Sequence, residues 1–85
     1  MRALAVQLAP YKIRVNSVVP NKIGSPVGKA EFDADRPVPN LVGRAGLPDE
    51  LARAVLFMAS DDAAFVVGEN MVVDGGLSAM MSGGT

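Results

Sequence analysis

Cysteine, histidine and tryptophan are absent from this chain of 85 residues, and tyrosine occurs once. Without cysteine the chain can form neither a disulfide scaffold nor a thiolate nucleophile. Without histidine it lacks the usual general base and the commonest metal ligand. These absences exclude or weaken most hydrolase and metalloenzyme interpretations, and we expect no metal site.

An excess of charge and long apolar runs are also lacking. Eight Lys and Arg residues against nine Asp and Glu residues give a net charge of −1, which excludes a strongly basic nucleic-acid binder and a polybasic membrane-surface protein. No apolar run approaches the roughly 18 residues that a membrane span needs. The first residues do not have the pattern of a signal peptide, and a cytoplasmic location is therefore expected.

The residues that are present have a globular composition. The hydrophobic fraction is 49%, which is typical of a folded protein, but so short a chain buries only about 60–65% of its unfolded surface. Nine Gly and six Pro residues interrupt it. Together these features suggest a piece of something larger or an obligate oligomer, and we expect the isolated chain to unfold with little cooperativity or to aggregate.

Hydrophobic periodicity predicts alternating helices and strands. The predicted elements, in chain order, are a helix at 1–10, a strand at 13–19, an irregular lid-like loop at 20–47, a helix at 48–59, a strand at 71–73 and a flexible tail at 77–85. Strands that alternate with helices form parallel sheets. The fold class is therefore α/β, with two parallel strands in a single partial domain, 1–85.

A glycine-containing stretch in the predicted loop imitates a phosphate-binding loop. Gly24 and Gly28 are followed by Lys29 and Ala30. A loop of the Walker type needs four residues between its glycines and a Ser or Thr after the Lys. Here three residues intervene and Ala30 follows, so the pattern does not favour an independent nucleotide site.

The tyrosine and the paired carboxylates do not form a catalytic group either. A tyrosine that acts as a general acid needs a nearby cation to lower its pKa of about 10, and Val15 stands where a Lys one helical turn after Tyr11 would be. Three carboxylate pairs are interpreted as a helix start, a turn and a solvated loop. In that order they are Asp49/Glu50, Asp61/Asp62 and Asp33/Asp35.

Two long stretches nevertheless resemble one known family. The stretches RALAVQLAPYKIRVNSVVP and GRAGLPDELARAVLFMASDDAAFVVGENMVVDGG, with the Pro-rich loop between them, are similar to the C-terminal third of a short-chain dehydrogenase/reductase. The similarity runs from Met1 to about Leu77 and rests on several separate motifs in the right order. It implies a partial Rossmann-type fold, helix–strand–long loop–helix–strand, from an oxidoreductase that uses NAD or NADP.

The resemblance also implies which residues contact the cofactor. Pro20 matches the Pro of the turn after the family's sixth strand, at the nicotinamide end of the cofactor. Asn21 replaces the usual Gly of that turn, and Asn tolerates a positive φ better than most residues. The backbone N–H and C=O of Ile23 would hold the nicotinamide carboxamide. The hydroxyl of Ser25 would lie near the carboxamide and the pyrophosphate.

By the same resemblance, the family's catalytic Ser, Tyr and Lys would lie before Met1. None of the three lysines follows a Tyr by four positions, so no catalytic residue is assigned here. Asn16 is expected to satisfy backbone groups rather than to act in catalysis. Residues 27–42 correspond to the family's substrate lid, and the predicted helix at 48–59 with the last strand corresponds to a subunit interface.

Two functional hypotheses follow. In the first, the chain is the C-terminal portion of an NAD(P)-dependent short-chain oxidoreductase. It then contributes nicotinamide contacts, a lid over a small carbonyl or alcohol substrate, and a homo- or hetero-oligomer interface, and it is not catalytic alone. In the second, it is a non-catalytic interaction module that docks on a full-length relative or completes a split enzyme. A truncated gene model or a decayed remnant is a third interpretation.

Overall fold

The computed structural model describes residues 1–24 and 38–81 of the chain. Its helices and strands are α1 (Arg2–Leu8), β1 (Ser17–Pro20), α2 (Pro48–Ala59), β2 (Asn70–Val73) and α3 (Leu77–Met81), with 3₁₀ turns at Ala9–Tyr11 and Asp61–Ala63. None of these helices is long and apolar enough to cross a lipid bilayer. Their order confirms the predicted alternation, whereas α3 occupies the start of the segment that the sequence pattern assigns to a tail.

The strands β1 and β2 lie side by side in a parallel sheet. Ser17 is opposite Asn70 and Pro20 is opposite Val73, and these are the two strands of the sheet within the described ranges. The predicted α/β class with two parallel strands is therefore confirmed. Because both strands run in the same direction, their carboxyl ends meet at one edge.

The strand predicted at 13–19 is shorter than expected and lies later in the chain. Pairing runs from Ser17 to Pro20, because β2 begins only at Asn70 and offers no partner to earlier residues. Residues 13–16 instead run beside the segment before β2, where the N–H of Gly68 donates to the C=O of Val15 over 2.8 Å. Pro20 thus ends a strand where the sequence pattern indicates a loop.

The side chain of Arg14 holds the end of α2 against the start of β1. Its guanidinium donates to three main-chain carbonyls, those of Met58 and Ser60 at 3.1 Å and that of Val66 at 3.4 Å. Carbonyls at the end of a helix have no intrahelical partner and carry partial negative charge. The cation therefore satisfies these groups and ties two elements that are distant in sequence.

Asn16 makes a similar link two residues later. Its amide nitrogen donates to the C=O of Val66, and its amide oxygen accepts from the N–H of Glu69, each over 2.9 Å. These two bonds tie the start of β1 to the segment that leads into β2. The expectation that Asn16 satisfies backbone groups is confirmed.

The helix α2 has the predicted bounds, 48–59. Pro48 occupies its first turn, where the missing N–H costs no hydrogen bond. Leu47 has no side-chain acceptor with which to cap the helix, and the carboxylate of Glu50 accepts the N–H of Leu47 over 2.9 Å. A side chain in the first turn that bonds back to the preceding residue is one half of a capping box.

The helix α1 buries only part of the stripe that defines it in the sequence. Ala5 is buried, whereas Met1 and Leu4 are 41% and 47% exposed. The helix passes into the 3₁₀ turn Ala9–Tyr11, in agreement with the predicted end. Its apolar face therefore has few partners among the described residues.

Small residues dominate the core of the described part. Its buried apolar residues are Ala5, Val38, Ala45, Met58 and Ala63. Large apolar side chains are widely exposed, and the most exposed are those of Phe65, Met81, Val6, Tyr11 and Leu56. Apolar packing between the described elements is correspondingly limited.

Candidate functional site

The carboxyl ends of β1 and β2 open onto a small cavity. In open α/β sheets, ligands bind outside the carboxyl ends of the strands. A cavity of about 80 Å³ lies here, between the residues after β1, the residues after β2 and the start of α2. Its polar lining includes Asn21, Asn40, Arg44, Glu50 and Asp74. This edge of the sheet is the candidate site.

A wider groove lies beside α2, but it is a weaker candidate for the functional site. It measures about 460 Å³ and is lined by residues before and in β1 and by one face of α2. Two of its polar side chains, Arg14 and Asn16, already bond to main-chain groups. Size alone therefore does not make it a site.

At the candidate site, a backbone bridge joins Ile23 to Gly46. The N–H of Gly46 donates to the C=O of Lys22, and the N–H of Gly24 donates to the C=O of Gly46, each over 2.9 Å. In a parallel bridge the bonds go to the two neighbours of the bridged residue. The N–H and C=O of Ile23 itself therefore point away from Gly46, and no group within the described ranges bonds to them.

An ion pair supports the other side of Gly46. The guanidinium of Arg44 binds the carboxylate of Glu50 through two contacts, Nη1 to Oε1 at 2.7 Å and Nη2 to Oε2 at 3.0 Å. The hydrogen bond from Arg44, with a second from the N–H of Leu47, lowers the pKa of Glu50 to about 2. The same hydrogen bond raises the pKa of Arg44. Both side chains remain partly exposed, so solvent screens their attraction.

The turn after β2 anchors the segment that precedes Arg44. The N–H groups of Leu41 and Val42 both donate to the C=O of Gly75, over 2.8 and 3.2 Å. Within that segment, the side-chain oxygen of Asn40 accepts from the N–H of Gly43 over 2.6 Å, and its nitrogen donates to the C=O of Arg44 over 3.0 Å. The segment is thus held both to β2 and internally.

Asp74 is the buried carboxylate of this edge. One oxygen accepts from the N–H of Gly76 over 2.9 Å, and the other accepts from the N–H and the hydroxyl of Ser78 over 2.9 and 2.6 Å. The hydroxyl of Ser78 is the main cause that lowers the pKa of Asp74. A carboxylate held in its ionised form by several donors acts as a cap for α3 rather than as a proton donor.

Comparison with known proteins identifies the family. The model of the family described as Enoyl-(Acyl carrier protein) reductase matches residues 1–78. The cyclopentanol dehydrogenase of Comamonas testosteroni is 48% identical over 83 residues, covering 92% of this chain. The chain belongs to the short-chain dehydrogenase/reductase family. The resemblance noted in the sequence is therefore confirmed.

Solved structures of short-chain dehydrogenase/reductases have the same fold. An acetoin dehydrogenase from Salmonella typhimurium superimposes with a TM-score of 0.75 at 26% identity, over 91% of this chain and 32% of that one. A 3-oxoacyl-[acyl-carrier protein] reductase from Brucella melitensis gives 0.73 at 32% identity, over 89% and 30%. The chain spans about a third of the length of the relatives it matches.

The structure brings three of the four predicted cofactor residues to the candidate site of this short-chain dehydrogenase/reductase. Pro20 ends β1, Asn21 donates its N–H to the C=O of Val73 over 3.2 Å, and Ile23 forms the bridge. In this turn Lys22 has the left-handed backbone conformation, with a φ of 61°. Because Asn21 replaces the usual Gly of the family, the resemblance predicts the positive φ at Asn21 instead.

Two of the predicted assignments in this region lie outside the described residues. They are the fourth cofactor residue, Ser25, and residues 27–37 of the expected lid. The role of all four residues toward a cofactor stays a prediction.

Four polar residues of this edge are not predicted as site residues from the sequence. They are Asn40, Arg44, Glu50 and Asp74, of which Glu50 is predicted only as part of a helix start. An Asp shortly before an apolar segment is a signal for a helix start, and Asp74 could have indicated α3. No local sequence pattern predicts the pairing of Arg44 with Glu50, because it depends on the path of the backbone between them.

Proposed function

We propose that the chain forms the nicotinamide end of the cofactor site in an NAD- or NADP-dependent short-chain oxidoreductase. In this proposal Pro20, Asn21 and Ile23, with Ser25 beyond the described ranges, face the cofactor. The chain is not catalytic alone. Its substrate, in the context of a complete domain, is a small alcohol or carbonyl compound.

The observation that carries the proposal is the orientation of Ile23. A carboxamide presents one acceptor and donor hydrogens, so it is matched by a main-chain segment that offers one N–H and one C=O. The bridge directs these two groups of Ile23 away from Gly46, and no group within the described ranges bonds to them. They lie at the carboxyl edge of a parallel sheet, where dinucleotides bind in folds of this class.

Named relatives support the cofactor class and the substrate class. One is an NAD-dependent glycerol dehydrogenase of Listeria innocua, 38% identical over 81 residues. Another is a cyclohexanol dehydrogenase of Acinetobacter, 45% identical over 75 residues. When bound, the nicotinamide ring supplies hydride transfer, and this chain's contribution is to bind and orient the end that carries the ring.

The residues of this chain do not supply the proton transfer that accompanies such chemistry. The sequence contains no Tyr-x-x-x-Lys pair. Tyr11 lies beside α1 with its side chain 73% exposed, and it is not among the residues that line the cavity at the strand ends. We therefore expect no ketone reduction by the 85-residue chain on its own.

A chimera tests the proposal. The full chain replaces the matching third of the cyclopentanol dehydrogenase of Comamonas testosteroni, and NADH and NADPH binding is measured by calorimetry. We expect the chimera to bind at least one cofactor and the 85-residue chain to bind neither. A folded chimera that binds neither, or an isolated chain with micromolar affinity, would overturn the proposal.

A single substitution in the chimera tests the assigned edge. Ser25→Ala is expected to remove one hydrogen bond, about 0.5–1.5 kcal/mol, and so to weaken binding by roughly 2- to 12-fold. The matched control is Ser17→Ala at the amino end of β1, where the hydroxyl bonds to the side chain of Asn70. Equal effects of both substitutions on the dissociation constant would remove Ser25 from the site.

A second candidate function is that of a separate module that completes or docks on a relative. The exposure of many large apolar side chains, such as those of Phe65, Val6 and Leu56, favours it, because removing apolar surface from water drives association with a partner. The outward faces of α2 and β2, with Leu56 and Val72 exposed, are the proposed oligomer contact.

Mixing the chain with the separately expressed first two thirds of the relative distinguishes the two candidate functions. Restored dehydrogenase activity in the mixture supports a separate module. Activity in the joined chimera alone supports a portion of one longer chain.

A further inference from the structure

We propose that Arg44 and Glu50 act as positioning residues that set the direction in which Ile23 presents its N–H and C=O. The inference rests on the proposed function and adds two residues that line the same cavity and bond to the peptide groups that flank Gly46. Neither residue is proposed to touch the cofactor. Their action passes through two peptide groups.

The first peptide group joins Ala45 to Gly46. Its C=O accepts a hydrogen bond from Nη1 of Arg44 over 3.1 Å, and its N–H donates to the C=O of Lys22 over 2.9 Å. The group is therefore bonded on both sides, by a side chain on one side and by the residue before Ile23 on the other. Rotation of this peptide plane would break one of the two bonds.

The second peptide group joins Gly46 to Leu47. Its N–H donates to Oε1 of Glu50 over 2.9 Å, and its C=O accepts from the N–H of Gly24 over 2.9 Å. The two groups that flank Gly46 thus repeat one arrangement. Arg44 and Glu50 bond to the C=O of Ala45 and the N–H of Leu47. Lys22 and Gly24, the neighbours of Ile23, bond to the N–H and the C=O of Gly46.

The side chain of Ile23 lies against Gly46, next to Ala45. Ala45 is completely buried, and a Cβ on Gly46 would collide with Cδ1 of Ile23. Hydrogen bonds join the two peptide groups that flank Gly46 to Lys22 and Gly24, the two neighbours of Ile23. A tilt of either peptide group is therefore expected to move the backbone of Ile23 with it.

The ion pair itself contributes little energy, because exposed pairs are typically weak. Its consequence is orientation: the planar guanidinium binds the carboxylate through two contacts and reaches a carbonyl with the same nitrogen. The oxygen of Glu50 that receives Arg44 also receives the N–H of Leu47. A change at either residue is therefore expected to alter cofactor binding more than thermal stability.

The test uses the chimera and begins without cofactor. Hydrogen exchange at the amides of Gly24 and Gly46 reports the bridge directly. We expect Arg44→Ala and Glu50→Ala each to accelerate exchange at these two amides, and the double variant to be no worse than either single variant. The control is Arg53→Ala, which removes an exposed cation of α2 near Glu50 and is expected to leave both exchange rates unchanged.

Steady-state kinetics of the same chimera then separates positioning from general damage. The two variants are expected to raise the KM for the nicotinamide cofactor about 3- to 10-fold and to leave the KM for the alcohol within about twofold. The exchanged pair, Arg44→Glu with Glu50→Arg, restores the attraction but not the bond to the N–H of Leu47. It is therefore expected not to restore the cofactor KM.

Two results overturn the inference while the proposed function stands. One is a cofactor KM and amide exchange in Arg44→Ala that match those of Arg53→Ala. The other is full rescue of the cofactor KM by the exchanged pair, which would assign the effect to charge attraction alone. An unsubstituted chimera that folds and binds neither NADH nor NADPH overturns the proposed function, and this inference fails with it.

Discussion

Replacement of Arg14 by alanine is expected to destabilise the chimera more than the loss of an exposed cation does. The guanidinium spans the interval between β1 and α2 and donates to the carbonyls of Met58 and Ser60 at 3.1 Å. A third contact, to Val66, is longer at 3.4 Å. The side chain thus satisfies two carbonyls at the end of α2 and holds the start of β1 beside them.

The magnitude follows from these contacts. A hydrogen bond from a charged donor contributes about 1.5–3 kcal/mol, and the lower limit applies because the site is partly exposed. Arg14→Ala removes two good hydrogen bonds, and water partly replaces them at the carbonyls. The free energy of unfolding is therefore expected to fall by roughly 2–3 kcal/mol. Arg14→Lys keeps a cation near the helix end, worth about 0.3–1 kcal/mol, and is expected to lose about 1–2 kcal/mol.

Thermal and urea unfolding of the chimera measure this effect. For a protein of about 150–250 residues, 1 kcal/mol shifts the Tm by roughly 2–4 °C, so Arg14→Ala is expected to lower it by about 5–10 °C. The control is Arg2→Ala, on the exposed first turn of α1, which should change stability by less than about 0.5 kcal/mol. If Arg14→Ala shifts the Tm no further than Arg2→Ala does, the carbonyl contacts do not stabilise the junction.

Two further predictions concern the candidate site. In Gly76→Ala a Cβ would lie 2.6 Å from Cδ1 of Leu41 at a φ of +91°, and we expect a loss of about 1–3 kcal/mol; Gly43→Ala, with a φ of +86° and open space around it, should lose less in urea unfolding, and equal losses would contradict the contact. Because the pKa of Glu50 falls from an ordinary 4.5 to about 2, its ionised form stabilises the fold fully above pH 4.5, and this contribution is lost as the pH falls toward 2. Glu50→Gln should therefore flatten the pH dependence of unfolding in that window while Asp49→Asn leaves it steep, and parallel curves for all three proteins would refute the assignment.

Local signals explain why α2 is predictable from the sequence. Pro48 in the first turn, acidic residues behind it and a helical apolar period all lie within one segment. Each signal requires only the geometry of a helix and no distant partner. The parallel pairing of the two strands is predictable for a similar reason, because alternation of helices and strands restricts how strands can be connected.

The bounds of β1 depend on a partner that the local pattern does not reveal. The β-branched run from Ile13 suits a strand, but strand assignment requires a neighbour, and β2 offers one only from Asn70. The preceding residues use their side chains to bind main-chain groups instead. The β-branched apolar run therefore begins before the paired segment, and the sequence pattern cannot separate the two.

The candidate site likewise contains residues that the sequence predicts and residues that it does not. The resemblance to a family indicates Pro20, Asn21 and Ile23, and the structure places them together. Arg44 and Glu50 lie six residues apart across a turn, outside the spacings at which helix neighbours meet. Their contact requires the backbone of Ala45 to Leu47 to fold back on the first turn of α2, and no local spacing predicts that path.

Polar contacts rather than apolar packing fix the relative positions of the described elements. The buried apolar residues include three alanines, so little apolar area is removed from water between these elements. Arg14 and Asn16 bond to groups 44 to 53 residues away, and such bonds depend on direction as well as distance. The candidate edge can therefore keep its geometry while the large apolar side chains remain exposed. The orientation of Ile23 therefore does not depend on burial of these apolar side chains. We expect the first two thirds of the relative to bury them in the chimera.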